Sequence, residues 1–183
     1  MKPIIIHRKF ESIEAYLSFE EKSEVRHEYY LENLIERAGT TKLHNQIVFF
    51  LTLLFRQGLA SQQFDISSEQ VKAFIKKENI FFYPDVMVAI PEEHPFYNSQ
   101  PVLIAEVLSE STRNFDMVDK FIQYKKLDTL QYYVLAEPDK ILVIVHKKTD
   151  TNEWQTDTYT SITDVIDLPK LQISIALKDI YQS

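Results

Sequence analysis

Residues 83–90 read YPDVMVAI and residues 102–108 read VLIAEVL, two short apolar runs separated by a loop that contains three prolines. If the runs pair as an antiparallel hairpin centred on Pro95 and Phe96, Asp85 lies directly opposite Glu106. The Cβ atoms of directly opposite residues are about 4.5–5.5 Å apart, and two carboxylates that close repel unless a proton or a cation lies between them. A divalent metal prefers such oxygen ligands. The two runs therefore predict adjacent strands that carry a cation site.

The composition limits the class of protein. A length of 183 residues predicts one domain that spans residues 1–183. The chain has no cysteine, which excludes a disulfide scaffold, a thiol nucleophile and a cysteine-ligated zinc site. Its two glycines are too few for a glycine-rich phosphate loop. No apolar stretch approaches the roughly 20 residues of a membrane span, and the start lacks a signal-peptide core. We therefore expect a cytoplasmic protein with no membrane partner.

The net charge is −7, from 20 basic and 27 acidic residues. Because affinity for the phosphate backbone comes from lysine and arginine, an acidic chain is a poor general binder of nucleic acid. Local basic clusters exist, and their pattern alone favours solvated surface. They are Lys72, Lys76 and Lys77, and Arg113, Lys120, Lys125 and Lys126.

Hydrophobic periodicity predicts helices over residues 12–20, 41–57, 114–127 and 176–181, the second capped by Thr40 or Thr41 and ended by Gly58. Strands are predicted at 25–37 (a pair with a bend near Glu32 and Asn33), 64–68, 71–75, 81–90, 102–108, 131–136, 141–146 and 153–160. A helix between strands 102–108 and 131–136 indicates a parallel crossover within a mostly antiparallel sheet. The pattern predicts an α/β domain with a mixed sheet and helices packed on it.

The helix after the Glu106 strand carries Asp116, Lys120 and Tyr124 on one face, while its apolar residues lie mostly around the other side. Taken alone, this pattern favours an exposed ion pair worth about 0.3–0.5 kcal/mol. However, Lys120 is one turn into a helix that begins just past the Glu106 strand, so it could reach the carboxylate pair. Carboxylates that hold Mg²⁺ or Mn²⁺ beside a lysine could activate water against a phosphodiester.

Several short motifs carry a family resemblance: Pro84-Asp85, Glu106-Val107-Leu108-Ser109, Ser111-Thr112, Asp116, Lys120, Tyr124, Arg26-His27-Glu28-Tyr29, the His44 helix and Tyr132-Tyr133-Val134-Leu135. Together they resemble the Uma-two family of restriction endonucleases, within the PD-(D/E)XK nuclease superfamily. The resemblance extends over most of the chain. It implies a restriction-endonuclease-like α/β fold, with a mixed β-sheet core flanked by helices.

The resemblance also implies site residues. Asp85 and Glu106 would bind metal, and Glu28 would complete the site as an N-terminal acid, although a surface carboxylate on a strand is an equal alternative. Lys120 would be a catalytic lysine relocated to the helix, because the usual position, two residues after the acid, holds Leu108. A lone histidine such as His44, near the start of a helix, is more often a polar surface residue or a residue that contacts the metal ligands than a catalytic group.

Two smaller points complete the candidate residues. His27 is ambiguous. Ser109, Ser111 and Thr112 favour a helix cap over a nucleophile, since no histidine base lies near them in the sequence.

These observations predict a metal-dependent endonuclease that uses Mg²⁺ or Mn²⁺ to hydrolyse phosphodiester bonds in nucleic acid, with DNA the expected class and RNA left open. Cleavage of both strands needs two sites, which a homodimer would supply. The alternative is a nuclease-fold protein with weak or no activity that acts as a binding or assembly module, as the acidic charge and Leu108 would suggest. A third possibility is a metal-dependent hydrolase of a small phosphoester.

Overall fold

The computed structural model describes residues 4–37 and 39–182. Its α-helices are α1 (Ile13–Glu21), α2 (Lys42–Gly58), α3 (Phe121–Tyr124) and α4 (Leu177–Ile180), with a π-helical segment, Phe115–Lys120, directly before α3. The strands are β1 (Ile5–His7), β2 (His27–Tyr30), β3 (Asn33–Glu36), β4 (Asp65–Ser68), β5 (Lys72–Ile75), β6 (Ile80–Phe82), β7 (Val86–Ala89), β8 (Tyr97–Asn98), β9 (Pro101–Val107), β10 (Tyr132–Ala136), β11 (Val143–Lys148), β12 (Trp154–Tyr159), β13 (Val165–Leu168) and β14 (Ile173–Ala176).

The strands form two six-stranded sheets and a two-stranded ribbon. The first sheet has the order β1-β3-β2-β6-β5-β8, the second has the order β12-β11-β10-β9-β7-β4, and the ribbon pairs β13 with β14. Both large sheets are mixed, because β5 pairs with β8 and β9 pairs with β10 in parallel. The predicted α/β class with a mixed-sheet core flanked by helices is confirmed. The structure has two such mixed sheets, because β1, β2, β3, β5, β6 and β8 build a sheet separate from that of β9 and β10.

The predicted strand over residues 81–90 is divided between the two sheets. β6 belongs to the first sheet and β7 to the second, and Tyr83, Pro84 and Asp85 link them. Pro84 has no backbone N–H to donate to a ladder, so a continuous central strand is disfavoured there. The switch places Asp85 where the two sheets meet, immediately before β7.

The predicted register between the two deciding runs is confirmed. β7 pairs with β9 in antiparallel fashion, with Val86 opposite Ala105 and Val88 opposite Leu103. One further step along this register places Asp85 opposite Glu106. The ladder shifts only at Val88/Ala89, toward the loop. The predicted parallel crossover is also present, and it brings the helix that bears Lys120 back over the sheet from β9 to β10.

Helix α2 packs against the second sheet, and its position brings its first turn to the site. Thr41 caps it by accepting a hydrogen bond from the backbone N–H of His44 (3.2 Å). Ile47, Leu51 and Phe55 recur at helical spacing and are buried in the core that includes β7 and β9. Truncating a leucine in such a core costs about 2–5 kcal/mol. The apolar stripe therefore fixes which way the first turn of α2 faces.

The helix predicted over residues 114–127 begins with the π-helical segment, followed by the short α3. The exposed ion pair that the pattern alone favours is not found: Asp116 and Lys120 are buried, whereas Val118 and Ile122 are exposed. The charged face is buried because Lys120 meets the carboxylates of Glu28 and Glu106 there. In residues 4–37 and 39–182, no helix combines the length and apolar character that a membrane crossing requires.

Candidate active site

At the junction of the two sheets, the carboxylates of Asp85 and Glu106 each contact the backbone of the neighbouring strand segment. Asp85 is 3% exposed and Glu106 is 2% exposed. The backbone N–H of Asp85 donates to Glu106 Oε2 (3.2 Å), and that of Val107 donates to Asp85 Oδ2 (2.8 Å). Both carboxylates are therefore positioned by backbone atoms, so their proximity follows directly from the strand register.

Lys120 lies at the centre of a group of acids, here called the Lys120 cluster: Lys120, Glu28, Glu106 and Asp116. Its Nζ is 2.9 Å from Glu28 Oε1, 3.1 Å from Glu106 Oε1 and 3.0 Å from Asp116 Oδ1. The four side chains come from β2, β9 and the π-helical segment. The structure thus brings together Glu28, Asp85, Glu106 and Lys120, the four site residues taken from the sequence.

Two hydroxyl groups support this cluster. Tyr124 donates to Glu106 Oε1 (3.2 Å), and Thr112 donates to Asp116 Oδ2 (2.6 Å). Ser109 Oγ accepts from the backbone N–H of Thr112 (3.2 Å) and so stabilises the turn before the helix, but the π-helical segment has Asn114 at its N-cap and lacks the side-chain cap that the sequence predicted. The hydroxyls orient the acids that surround Lys120.

The prediction that the basic clusters are solvated surface is wrong for two lysines. Lys120 and Lys72 are only 5% and 6% exposed. A charged group is buried when its partners are buried with it, and Lys120 meets Asp116 on its own helical segment and two carboxylates from strands, Glu28 and Glu106. Lys72 instead lies 4.9 Å from the centroid of the Tyr83 ring, a contact that the charge pattern does not indicate.

Electrostatics within the cluster separate the roles of the acid and the lysine. Burial raises the pKa of Glu106 to about 8, because the effect of Lys120 is opposed by the nearby carboxylates of Asp85, Asp116 and Glu28. Burial tends to lower the pKa of Lys120, but the carboxylates of Asp116, Glu106 and Glu28 outweigh it and hold that pKa well above its usual value. Lys120 therefore stays a cation, able to donate hydrogen bonds and stabilise negative charge.

Asp85 has a second set of partners on its other side. Arg37 Nη2 lies 3.0 Å from Asp85 Oδ1, and His44 Nε2 lies 3.1 Å from Asp85 Oδ2. Burial tends to raise the pKa of Asp85, but the His44 contact and the Arg37 charge outweigh it and hold that pKa below its usual range. His44 is thus a direct neighbour of the predicted metal ligand, and Arg37 was not identified from the sequence.

A group of potential metal ligands also includes Asp85. His44, Glu69 and Asp85 each offer a ligand atom, and these atoms all lie within 4.8 Å of one another. Glu28 and Glu106 are not part of this group. Neither Glu69 nor its spacing from Asp85 carries a sequence signal, because Glu69 lies in an irregular segment between β4 and β5.

The side chains present suit a divalent cation. Four buried acids lie together here: Glu28, Asp85, Glu106 and Asp116. Within the described residues, two cationic side chains contact them, Lys120 and Arg37. In formal charges, this leaves a surplus of two negative charges in a buried site. Because hard oxygen donors are the ligands that Mg²⁺ and Mn²⁺ take, the charge and the chemistry of the donors both fit such an ion.

The site opens into a cleft of ≈ 1260 Å³. Glu28, Asp85, Glu106, Asp116 and Lys120 all contribute to its lining. In total, ten carboxylate side chains and four arginine or lysine side chains line it, a formal surplus of six negative charges. A polyanion would be repelled from this cleft unless cations accompany it.

Comparison with known proteins agrees with this geometry. Residues 13–178 match the model of the Uma2 family, described as "Putative restriction endonuclease". Two relatives come from Synechocystis sp. (strain ATCC 27184 / PCC 6803 / Kazusa). "Uncharacterized protein sll1609" is 31% identical over 156 residues, or 82% of this chain and 88% of the relative. "Uncharacterized protein slr1290" is 29% identical over 174 residues, or 93% of this chain and 91% of the relative.

A solved structure has the same fold. It is described as the crystal structure of "a putative nuclease belonging to DUF820" from Anabaena variabilis ATCC 29413, and it superposes with a TM-score of 0.77. The match covers 93% of this chain and 97% of the other, at 16% sequence identity. The resemblance predicted from the sequence motifs is confirmed: this chain belongs to the Uma2 family and has its restriction-endonuclease-like nuclease fold.

Proposed function

We propose that this protein is a divalent-metal-dependent endonuclease that hydrolyses phosphodiester bonds in DNA. The observation that carries the proposal is the contact of Lys120 with Glu28, Glu106 and Asp116, beside Asp85, in the lining of an open cleft. A cationic lysine next to surplus buried carboxylates is the combination that phosphodiester hydrolysis needs, since it pairs a metal-binding acid set with a stabiliser of developing negative charge.

In this proposal, Asp85 and Glu106 hold Mg²⁺ or Mn²⁺, and Glu28 completes the ligand set. The bound cation would lower the pKa of a water molecule and polarise the scissile phosphate. Backbone N–H groups already orient Asp85 and Glu106, so the two ligands need little rearrangement. Burial limits competition from bulk water for the same carboxylates.

Lys120 acts as a hydrogen-bond donor and a charge stabiliser. Asp116, itself held by Thr112, would keep the lysine side chain in place when Glu28 and Glu106 bind the cation. The Lys120 ammonium then lies free to contact the attacking water or a phosphate oxygen. Its charge offsets the negative charge that grows on the phosphoryl oxygens in the transition state.

DNA is the proposed substrate, and two sites in a homodimer would cleave its two strands. The acidic cleft sets a condition on this assignment, because its lining repels phosphates in the absence of cations. We therefore expect DNA binding itself, as well as cleavage, to require the divalent cation.

The test is cleavage of supercoiled plasmid, single-stranded DNA and RNA with Mg²⁺ or Mn²⁺, using wild-type protein and the variants Asp85→Asn and Lys120→Met. Lys125→Met is the matched control, because Lys125 is exposed and its Nζ lies over the Phe121 ring rather than in the cleft. Activity in wild type and in the control, with loss in both site variants, supports the proposal. Wild-type protein that cleaves none of the substrates would favour the alternative of a binding or assembly module.

A further inference from the structure

Asp85 belongs to two groups of side chains. On one side it meets Glu106 and the Lys120 cluster, and on the other it meets His44 and Glu69. The ligand atoms of His44, Glu69 and Asp85 all lie within 4.8 Å of one another. This spacing suits three donors around a single ion, and it includes an imidazole nitrogen that the Lys120 cluster lacks.

Backbone contacts position Glu69 beside Asp85. Its N–H lies 3.2 Å from the carbonyl oxygens of both Pro84 and Asp85. Its own carbonyl oxygen accepts hydrogen bonds from Arg26 Nη1 (3.3 Å) and Arg37 Nη1 (3.0 Å). The backbone of Glu69 has φ 55, in the left-handed region that glycine adopts more readily. Several contacts thus hold this carboxylate residue in a backbone conformation that glycine would adopt with less strain.

His44 lies in the first turn of α2, and its side chain is 10% exposed. Nε2 faces Asp85 Oδ2 at 3.1 Å. Among the residues that the structure describes, Nδ1 of this buried ring has no hydrogen-bond partner. Buried polar atoms are almost always paired, so the incomplete pairing of this ring indicates that a component of the site is still to be supplied.

We infer that His44, Glu69 and Asp85 form a site for a divalent first-row transition metal, with an imidazole nitrogen as one ligand. The inference rests on the proposed nuclease function and gives it a metal preference. Mg²⁺ takes oxygen ligands almost exclusively, whereas nitrogen ligands favour transition metals such as Mn²⁺, Fe²⁺ or Zn²⁺. The surplus of six negative charges along the cleft accommodates this ion in addition to one held by Glu106.

The test uses Mn²⁺ as the probe and the full chain without nucleic acid. Pulsed electron paramagnetic resonance detects ¹⁴N bound directly to Mn²⁺, and a titration followed by the free Mn²⁺ signal gives the affinity. We expect ¹⁴N coupling in wild type. We also expect that displacing this Mn²⁺ takes at least about tenfold more Mg²⁺ than Zn²⁺, because nitrogen-containing sites prefer Zn²⁺. Absence of ¹⁴N coupling at saturating Mn²⁺ would overturn the inference.

Three variants identify the ligands. His44→Gln should lose the ¹⁴N coupling, whereas the exposed His7→Gln should keep it. Glu69→Gly should weaken Mn²⁺ binding at least about tenfold without loss of thermal stability, because glycine suits the backbone conformation of residue 69. If His44→Gln fails to fold, Glu69→Gly decides: unchanged Mn²⁺ affinity in that variant contradicts the site.

Plasmid cleavage by the same preparations separates this inference from the proposed function. Metal-dependent cleavage without ¹⁴N coupling would remove the histidine site and leave the nuclease proposal standing. Coupling that depends on His44, together with no cleavage of any nucleic acid, would support the metal site and reject the nuclease proposal.

Discussion

Two buried polar groups, one around Lys120 and one around Glu20, differ in how their charges are matched. Tyr83 contacts both, through its backbone N–H to Glu28 and its hydroxyl to Glu20. The Lys120 cluster sets one lysine among three carboxylates. In the other group, Glu20 Oε1 accepts from the backbone N–H of His27 (2.7 Å) and from Tyr83 O–H (3.0 Å), and Glu20 Oε2 pairs with His27 Nδ1 (3.1 Å). We call Glu20, His27 and Tyr83 the Glu20 network.

The difference between the two groups indicates which one is built for a ligand. Both oxygens of Glu20 are saturated by protein donors, and none of the described residues that line the cleft belongs to the Glu20 network. The Lys120 cluster has surplus negative charge and lines the cleft. A saturated buried network stabilises a fold, whereas an unbalanced buried cluster gains stability from a cation. Four predictions test this distinction, from the largest expected effect to the smallest.

The largest effect is expected from Asp85→Asn. Asp85 lies beside Glu106 of the Lys120 cluster and forms a second ligand group with His44 and Glu69, so the change removes a charged ligand from both proposed metal sites. Both Mn²⁺ affinity and plasmid cleavage should therefore fall, cleavage by more than the roughly 100-fold expected for loss of one electrostatic stabiliser. Calorimetric titration with Mn²⁺ and a plasmid-nicking assay measure the two effects. Normal metal affinity in this variant would show that the surplus charge around Asp85 does not serve cation binding.

Lys120→Met should separate catalysis from metal binding. The substitution keeps the length of the side chain and removes its charge, so cleavage should fall at least about 100-fold while Mg²⁺ or Mn²⁺ affinity changes little. Rates at saturating metal measure the effect, with Lys125→Met as the control. Equal rates in Lys120→Met and wild type would reduce Lys120 to a structural ion-pair partner, similar in role to His27.

Glu20→Gln should show the opposite behaviour. It weakens hydrogen bonds to a buried carboxylate, so the free energy of unfolding should fall by about 1–3 kcal/mol. Metal affinity should stay close to the wild-type value, because the Glu20 carboxylate contacts His27 and the Tyr83 hydroxyl, whereas Tyr83 meets the Lys120 cluster through its backbone N–H, which donates to Glu28 Oε1 (3.3 Å). Chemical denaturation and Mn²⁺ titration of the same sample measure both quantities. A large loss of metal affinity in Glu20→Gln would show that the Glu20 network and the Lys120 cluster act together in metal binding.

The smallest expected effect is a pH dependence of the metal-free protein. Because the pKa of Glu106 is raised to about 8 in the folded state, protonated Glu106 favours folding. Its stabilising contribution is complete below the ordinary glutamate pKa, and it is lost as the pH rises through about 8. The melting temperature should therefore fall by a few °C over this range.

Glu106→Gln should flatten that pH profile, and saturating Mn²⁺ should reverse it, because the cation binds the ionised acid. Differential scanning fluorimetry across the pH range, with and without Mn²⁺, measures both changes. A profile for Glu106→Gln that follows wild type would assign the pH dependence to another group.

The site residues that could be predicted from local pattern lie within one helix or on two strands that follow each other in the sequence. Asp85 and Glu106 lie in consecutive runs of a hairpin, so alternation and the midpoint of the loop were enough to predict their register. Asp116, Lys120 and Tyr124 repeat at helical spacing, so their common face was readable as well. Glu28 came from the family resemblance, since nothing in the local pattern of β2 distinguishes it from a surface acid.

Three features could not be read from local pattern: the second sheet, the burial of Lys120, and the neighbours of Asp85 formed by Arg37, His44 and Glu69. Spacing along the chain reports which side chains share a face, but it does not report which face another element covers. Lys120 is buried because β2 and β9 supply its countercharges.

By itself, the sequence determined the α/β class, the pairing of the two acidic strands and the family, because these depend on short-range periodicity and on motifs. Only the tertiary structure decided the surroundings of Asp85. Arg37 follows β3, His44 lies in the first turn of α2 and Glu69 lies between β4 and β5, and they converge because the chain changes sheets at Pro84 while α2 packs on the second sheet. That convergence depends on the packing of whole elements against one another, which no local stretch of sequence specifies.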